Sequence, residues 1–308
     1  MPSAILLILF ALGLTAWGSV MPAGLLHGLK VVAVAVVAQA VWGMARVFCT
    51  DAKRLTLMFG AAIVLLLGSS ALGQVMVILV AGLLGSRLFQ PAPGDTHQPL
   101  GIRVRQRTAV ALLVAFFALL LLLPLLAQLW PLSGLQRVDA FYRVGSLVFG
   151  GGHVVLPLLQ TEVVGSGWVN NEVFLAGYGA TQAVPGPLFT FAAFLGAAMQ
   201  DAPNGWSGGL LCLVAVFAPS FLLVIGALPF WERLRANRHT GGALQGVNAA
   251  VVGVLLAALY DPVWTSAILG PADLALALVA LLALMWKLPP WLVVLGCGLA
   301  GWGLDVLL

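Results

Sequence analysis

The sequence predicts an all-α, polytopic membrane protein, and three observations carry that prediction. Of the 308 residues, 62% are hydrophobic and 8% are charged, whereas about 25% of the residues in an average soluble domain are charged. The apolar residues form consecutive runs, many of them close to the roughly 20 residues that a helix needs to cross a bilayer. The basic residues cluster between these runs, as the positive-inside rule describes for cytoplasmic loops. The net charge of +4 therefore reflects membrane topology and gives no reason to expect nucleic-acid binding.

The apolar runs predict about 9–11 membrane segments in contact with the lipid bilayer. They lie at 4–20, 29–49, 55–68, 71–89, 108–130, 141–160, 173–199, 208–231, 242–260, 272–286 and 290–307. The runs at 55–68 and 272–286 are shorter than a full crossing, so we expect half-helices or re-entrant pieces there. The first ten residues lack the basic region of a cleavable signal peptide. The three cysteines are isolated, so we expect free thiols and neither a disulfide framework nor a metal site.

The basic clusters predict the orientation of the chain. Residues 90–107 form the longest polar stretch and end in three arginines, which predicts a cytoplasmic linker. A second basic loop lies at 232–239. Four apolar runs separate the two loops, and four crossings would return the chain to the same side of the membrane. Arg137 and Arg143 fall near the opposite end, which favours a functional reason for the position of Arg143.

An internal repeat relates the two ends of the chain. Pro2-Ser3 matches Pro219-Ser220, and Gly28 matches Gly246 at nearly the same offset. Further matches join Val34 to Val252, Ala40 to Ala258, Gly82 to Gly298 and Gly85 to Gly301. An odd number of segments separates the copies, so we expect them to have opposite orientations, as in many transporters. We divide the chain into a truncated first repeat (1–89, its latter part only), the linker (90–107), and a linker helix with a complete second repeat (108–308).

Two glycine- and proline-rich motifs interrupt the apolar runs of the second repeat. The first is Phe149-Gly150-Gly151-Gly152, followed by His153. Its glycines would let backbone N–H groups turn toward a cavity, where a following helix N-terminus favours an anion. The alternative is that the glycines only allow close helix packing. For His153, a packing role is the alternative to substrate contact.

The second motif is Pro185-Gly186-Pro187. Because proline lacks a backbone donor, the motif predicts a broken helix with exposed carbonyls before Gly186 and free N–H groups after it. Thr181 and Gln182 precede the break and would face the same cavity. The alternative is an ordinary proline kink that neighbouring helices satisfy.

Charged residues beside these motifs offer supporting roles. Arg143 would attract an anion, and Glu162 would relay protons from the membrane edge, unless it is a solvated loop residue. Lys30 would also attract an anion, although snorkelling to the interface is the alternative. No catalytic motif emerges, so we expect neither an enzyme nor a cofactor.

The motifs together resemble the second half of the chromate transporter (CHR) family. The resemblance rests on Phe149-Gly150-Gly151-Gly152, Leu156-Pro157-Leu158, Glu162-Val163-Val164, Gly167-Trp168, Gln182, Pro185-Gly186-Pro187, Ala218-Pro219-Ser220, Pro262-Val263-Trp264 and Lys287-Leu288-Pro289-Pro290-Trp291. It covers about residues 139–308, while residues 1–89 resemble the latter part of the family's first half. It implies a multi-pass protein of the bacterial inner membrane that exports chromate, with sulfate as a similar oxyanion. It also implies that both motifs line the translocation region.

The chain departs from this family pattern in its first half. That half should carry its own Phe-Gly-Gly and Pro-Gly-Pro motifs, and neither is found. We therefore expect a truncated gene product, a misassigned start or a fragment. If the chain is complete, transport would need a partner or a second copy of the chain to supply these segments. The alternatives to chromate transport are a permease for sulfate or another inorganic anion, and an inactive truncated membrane scaffold.

Overall fold

The computed structural model describes residues 2–17, 22–68, 70–89, 104–148, 155–231 and 237–307, and these residues form helices and no strand. The α-helices are α1 (Pro2–Trp17), α2 (Ala23–Phe48), α3 (Ala52–Leu67), α4 (Ala71–Leu88), α5 (Gln106–Leu129), α6 (Ser133–Leu147), α7 (Val155–Val163), α8 (Asn171–Thr181), α9 (Phe191–Ala198), α10 (Gly205–Ala227), α11 (Arg238–Ala258), α12 (Pro271–Met285) and α13 (Pro290–Leu307). A 3₁₀ turn (Leu188–Thr190) precedes α9, and a second (Leu228–Phe230) follows α10. A π-helical segment (Leu259–Trp264) and a single α-turn (Thr265–Ala267) follow α11. This is an all-α polytopic membrane protein.

Short polar side chains fix where several of these helices begin. The carboxylate of Asp51 accepts a hydrogen bond from the backbone N–H of Arg54, at 2.9 Å, at the start of α3. Ser70 caps α4 and Asn170 caps α8 in the same way. Each cap satisfies one of the backbone donors that the first turn of a helix leaves without a partner.

Among the residues that the structure describes, four helices are long and apolar enough to cross a membrane by length and composition. They span Ala23–Phe48, Gln106–Leu129, Gly205–Phe230 and His239–Ala267. Large apolar side chains on the outside of the bundle are exposed, among them Leu83, Leu121 and Val214. In a bilayer these side chains contact lipid, which explains why so many leucines lie outside the core.

Side-chain contacts define two ends of the helix bundle. At one end, His27 of α2 bonds Asp273 of α12, and Lys30 lies 3.6 Å from Glu172. We call this the acidic end, because it carries Asp139, Glu162, Glu172, Asp201, Asp261, Asp273 and Asp305. At the other end, Arg54 of α3 bonds Gln245 of α11. We call this the basic end, because it carries Arg46, Lys53, Arg54, Arg87, Arg105, Arg107 and Lys287.

The runs at 141–160 and 173–199 are hairpins and not crossings, which corrects the count of four crossings between the basic loops. The first run divides into α6 and α7, and the second into α8 and α9. The hydroxyl of Ser133 donates to the carbonyl of Ala202, which joins the outer ends of the two hairpins. The pair of Lys30 with Glu172 places the outer end of the second hairpin at the acidic end. Among the described helices between the loops, α5 and α10 therefore connect the two ends. Two crossings are also an even number, so the prediction that both loops share one side does not change.

The two short runs are continuous helices and not re-entrant pieces. Helix α3 has 16 residues and α12 has 15, which gives lengths of about 22–24 Å. Each connects the two ends of the bundle. Arg54 holds the start of α3 at the basic end, and Asp273 holds the start of α12 at the acidic end.

Two close helix crossings lie at the glycines that the internal repeat matches. Helix α2 meets α13 where Gly28 touches the backbone of Cys297 and Gly298. Helix α11 meets α4 where Gly246 touches the backbone of Ala81 and Gly85. Small residues allow such close backbone approach between membrane helices. Matched helices also run in opposite directions: α2 leaves the acidic end, and α11 approaches it.

Candidate functional site

Helices α8 and α9 form a hairpin whose tip is the Pro-Gly-Pro motif. Helix α8 has 11 residues and α9 has eight, so neither spans a bilayer alone. At the end of α8 the backbone forms three successive hydrogen bonds of the i→i+3 type. In the last of them, the N–H of Val184 donates to the carbonyl of Thr181 at 3.2 Å. Pro187 then begins the 3₁₀ turn, and its carbonyl accepts from Thr190 N at 2.9 Å. The structure thus contains the broken helix that the motif predicts.

Aromatic packing holds the two arms of this hairpin together. The rings of Phe174 on α8 and Phe191 on α9 meet edge to face, with centroids 5.1 Å apart. The ring of Phe194 packs so closely on Gly177 that a Cβ there would overlap it. Both arms are buried in the main apolar core. The tip is therefore held at a fixed depth by rigid elements, as a binding site requires.

The tip presents hydrogen-bond donors. Pro187 precedes the N-terminal turn that leads into α9, and the first N–H groups of such a turn lack helical partners. The Nε2 atom of Gln182 is buried beside the break and has no partner among the described residues. Ser3 of α1 approaches so closely that a Cβ at Gly186 would lie 2.7 Å from its Oγ. The arrangement of a helix start with an amide donor is suited to an anion.

Residues 149–154, which contain Phe149, Gly150, Gly151, Gly152 and His153, lie outside the described residues. The helices on either side of them, α6 and α7, are in contact. Gly145 near the end of α6 packs against the backbone of Val216 and the ring of Pro219 in α10. The end of α6, just before the glycine motif, therefore packs against Pro219. Pro219 is the residue that matches Pro2 in the internal repeat.

Arg143 and Glu162 form one cluster with Asp139 at the acidic end. The two terminal nitrogens of Arg143 meet the two carboxylate oxygens of Glu162 at 3.1 and 3.3 Å. The Nη2 atom also bonds Asp139 at 2.9 Å. This forked geometry is the strong form of an arginine–carboxylate interaction. The cluster borders a cavity of ≈ 410 Å³ with Gln128, Gln136, Ser166 and Trp168.

The surroundings of Arg143 are acidic. Two carboxylates surround one guanidinium, so the cluster as a whole carries a formal charge of one negative unit. The Pro-Gly-Pro tip lies at the far end of α8, about 16 Å from the acidic end. The structure therefore brings Arg143 together with Glu162 and Asp139, and it places Gln182, Pro185, Gly186 and Pro187 at the tip of the other hairpin.

The other cations of the acidic end also have partners. Arg137 is fully buried and donates to the backbone carbonyls of Asp201 and Pro203, so it fastens the turn between α9 and α10. Lys30 faces Glu172 at 3.6 Å. These contacts give a structural reason for basic residues that the positive-inside pattern leaves unexplained.

Sequence reasoning missed a polar network beside the cluster. Gln74 of α4 donates to the hydroxyl of Thr161 at 3.2 Å. Gln160 donates to Asn171 at 2.7 Å, and Asn171 donates to Ser266 at 2.7 Å. A glutamine inside an apolar run is itself a signal, because a buried amide in a membrane needs partners. Gln74, the only Asn, Asp, Gln or Glu in the run 71–89, carries that signal.

Part of the sequence matches a known protein family. The chromate transporter family matches residues 135–302, from the start of α6 into α13. The chain belongs to this family. It is 34% identical to the chromate transport protein of Pseudomonas aeruginosa over 169 residues, covering 52% of this chain and 39% of the relative. It is 29% identical to the chromate transport protein of Cupriavidus metallidurans over 175 residues, covering 56% and 42%.

The chain of this chromate transporter family member spans about two fifths of the length of these relatives. A probable chromate transport protein of Synechococcus elongatus gives a similar result, at 29% identity over 171 residues. No solved structure matches the chain. The family match includes both hairpins and the acidic cluster. It also includes α11 and most of α13, but not α4 and α2, the helices that they cross.

Proposed function

We propose that the protein transports chromate, a divalent tetrahedral oxyanion, across the bacterial inner membrane. One observation carries the proposal: the family match coincides with two helix hairpins, one of which has the Pro-Gly-Pro break at its tip. Broken helices of this kind form substrate sites in other transporters. The chromate transport proteins of two bacteria are among the relatives.

The proposed anion site lies at the tips of the hairpins. Backbone N–H groups after Gly186, with Nε2 of Gln182, would contact the oxyanion from one side. The glycine motif Gly150–Gly152, with Phe149, would contact it from the other. Pro185 and Pro187 keep the backbone from closing into a continuous helix, which would use up these donors. Arg143 and Glu162 have a different proposed role, as a charge pair at the acidic end from which Glu162 relays protons.

The orientation of the protein in the membrane follows from the charge distribution. The basic end carries most of the described arginines and lysines, so we assign it to the cytoplasm. Export then means movement from the basic end toward the acidic end.

Pro185→Leu is expected to reduce chromate transport to background while the protein still inserts and folds. Leucine restores the missing backbone donor and favours a continuous helix, which removes the free N–H groups. The measurement is uptake of chromate into everted membrane vesicles, with protein amount determined by immunoblot. Pro290→Leu is the matched control, because Pro290 is exposed at the start of α13 and is expected to be neutral.

Gly186→Ala tests the same tip through its contact with α1. The new Cβ would overlap Ser3, so transport is expected to fall. Ser3→Gly in the same chain removes the overlapping atoms and is expected to restore part of the transport.

Normal transport in well-expressed Pro185→Leu and Gly186→Ala proteins would contradict the site assignment. If unlabelled sulfate inhibits the uptake of chromate as strongly as unlabelled chromate does, the protein is a general oxyanion permease. If the protein moves no chromate with any candidate partner, it is a membrane scaffold.

A further inference from the structure

Helix α1 begins beside the tip of the Pro-Gly-Pro hairpin. A Cβ at Gly186 would lie 2.7 Å from the Oγ atom of Ser3 and 2.9 Å from its Cβ, so the two residues are in contact. About two turns further along α1, the ring of Phe10 stacks on that of Phe194 in α9, with centroids 5.8 Å apart. The two contacts have nearly the same offset in sequence. Helices α1 and α9 therefore run parallel, and both begin at the tip.

Two helix N-termini thus meet at one place. The first N–H groups of a helix lack helical partners, and together they give its N-terminus a partial positive charge. Helix α1 contributes the N–H groups that follow Pro2, and the turn before α9 contributes those that follow Pro187. Pro2, Gly186 and Pro187 are exposed, so a ligand can reach both helix starts.

Helix α8 ends at the same tip, and hydrogen bonds occupy its last carbonyl groups. The carbonyls of residues 179–181 accept from the N–H groups of residues 182–184, at 3.0–3.2 Å. None of the residues 2–17, 173–200 and 205–231, which include α1, α9 and α10, is charged. Two helix N-termini therefore face one C-terminus with no carboxylate on these helices, and this balance favours an anion.

The hydroxyl of Ser3 lies between these two helix starts. Ser3 is 6% exposed, and its Oγ atom has accessible surface and no hydrogen bond among the described residues. Hydroxyls inside helices often donate to a carbonyl one turn earlier, as those of Ser146 and Thr181 do at 2.7 Å. Ser3 is in the first turn of α1, where the helix has no such carbonyl to offer. Because an almost buried hydroxyl without a partner is unfavourable, a ligand at the tip would complete its hydrogen bonding.

We propose that Ser3 is a further substrate-binding residue, whose hydroxyl donates to the oxyanion at the Pro-Gly-Pro tip beside the N-terminal turn of α1. The proposal rests on the proposed function, because the ligand is the same tetrahedral oxyanion. A hydrogen bond to an ionised acceptor is shorter and stronger than one between neutral groups. Ser3 lies outside the matched family region, residues 135–302, so this contact is a contribution of the first part of the chain.

Ser3→Ala separates hydrogen bonding from packing, because it removes the hydroxyl and keeps the Cβ beside Gly186. The KM for chromate uptake into everted vesicles is expected to rise about tenfold, which is the loss of one hydrogen bond to a charged group. The Tm and the amount of protein are expected to stay unchanged. Thr15→Ala is the matched control in the same helix, because the exposed hydroxyl of Thr15 donates to the carbonyl of Leu12 at 3.0 Å.

Ser3→Gly is the second variant, since it also lacks the hydroxyl and adds no atom at the contact. It is expected to raise the KM as Ser3→Ala does. For the same reason, Ser3→Gly restores only part of the transport of a Gly186→Ala protein: the overlap disappears, and the donor disappears with it. Equilibrium binding of labelled chromate to the purified variants gives the Kd directly, and the Kd is expected to rise about tenfold as well.

The outcomes distinguish this proposal from the proposed function. If Ser3→Ala and Ser3→Gly transport chromate with the same KM and Kd as Thr15→Ala, the Ser3 proposal is wrong and the proposed function stands. A lower Tm with an unchanged Kd also overturns it, because Ser3 then only packs against Gly186. Binding of chromate that depends on Ser3, in a protein that moves none, removes the proposed function and keeps the anion contact. A protein that neither binds nor moves chromate overturns both.

Discussion

Gly28→Ala and Gly246→Ala are each expected to destabilise the folded protein, by about 1–3 kcal/mol or more. A Cβ at Gly28 would overlap the carbonyl oxygen of Cys297, and one at Gly246 would overlap that of Ala81. In both cases the overlapped atom belongs to the backbone of a helix. It cannot turn away as a side chain would, so the two helices must separate, and packing contacts along the whole crossing weaken.

Two other glycines in the same helix pair provide controls. Gly43 lies in α2 and Gly296 in α13, and a Cβ at either position would meet nothing within 4 Å. Gly43→Ala and Gly296→Ala are expected to be neutral or to stabilise the protein by about 0.5–1 kcal/mol, because alanine loses less entropy in a helix. The measurement is thermal unfolding in detergent, followed by size-exclusion chromatography. A Gly28→Ala protein as stable as Gly43→Ala would show that α2 and α13 do not cross this closely.

Arg143→Met is expected to be the most damaging change in the acidic cluster. It leaves the carboxylates of Asp139 and Glu162 close together without the cation that both now contact. Removing one partner of a fully buried ion pair costs about 3–5 kcal/mol. The loss here is expected to be smaller, because the Arg143 side chain is 35% exposed.

The order of the variants distinguishes this cluster from a surface salt bridge. Glu162→Gln keeps the pair of Arg143 with Asp139, so it should lose less stability than Arg143→Met. Combining Arg143→Met with Glu162→Gln is expected to recover part of the loss, because it removes the repulsion between carboxylates. Arg107→Met, at an exposed position of α5, is the control. If Arg143→Met and Arg107→Met have the same Tm, the cluster does not stabilise the fold.

Much of the architecture could be predicted from the sequence. The number and placement of apolar runs indicated an all-α membrane protein, because a bilayer permits few other ways to satisfy the backbone. The Pro185-Gly186-Pro187 motif indicated the break between α8 and α9, since proline cannot continue the hydrogen-bonding pattern of a helix. The matched glycines indicated related segments at the two ends of the chain.

Other features depended on contacts between residues far apart in the chain. The runs at 141–160 and 173–199 have the length of full crossings, and only the contacts at their ends show that each is a hairpin. The predicted anion-attracting role of Arg143 came from its position alone. Its bonds to Asp139 and Glu162 depend on how α6 turns and how α7 packs against it.

The sequence by itself determined the class of the protein, its broken helices and its family resemblance, because these follow from local composition and from the chemistry of glycine and proline. Only the tertiary structure decided which charges meet. It paired Arg143 with two carboxylates, and it joined Gln74 to Thr161 and Gln160 to Asn171. Such pairings depend on the relative orientation of separate helices, which no periodicity within a single helix encodes.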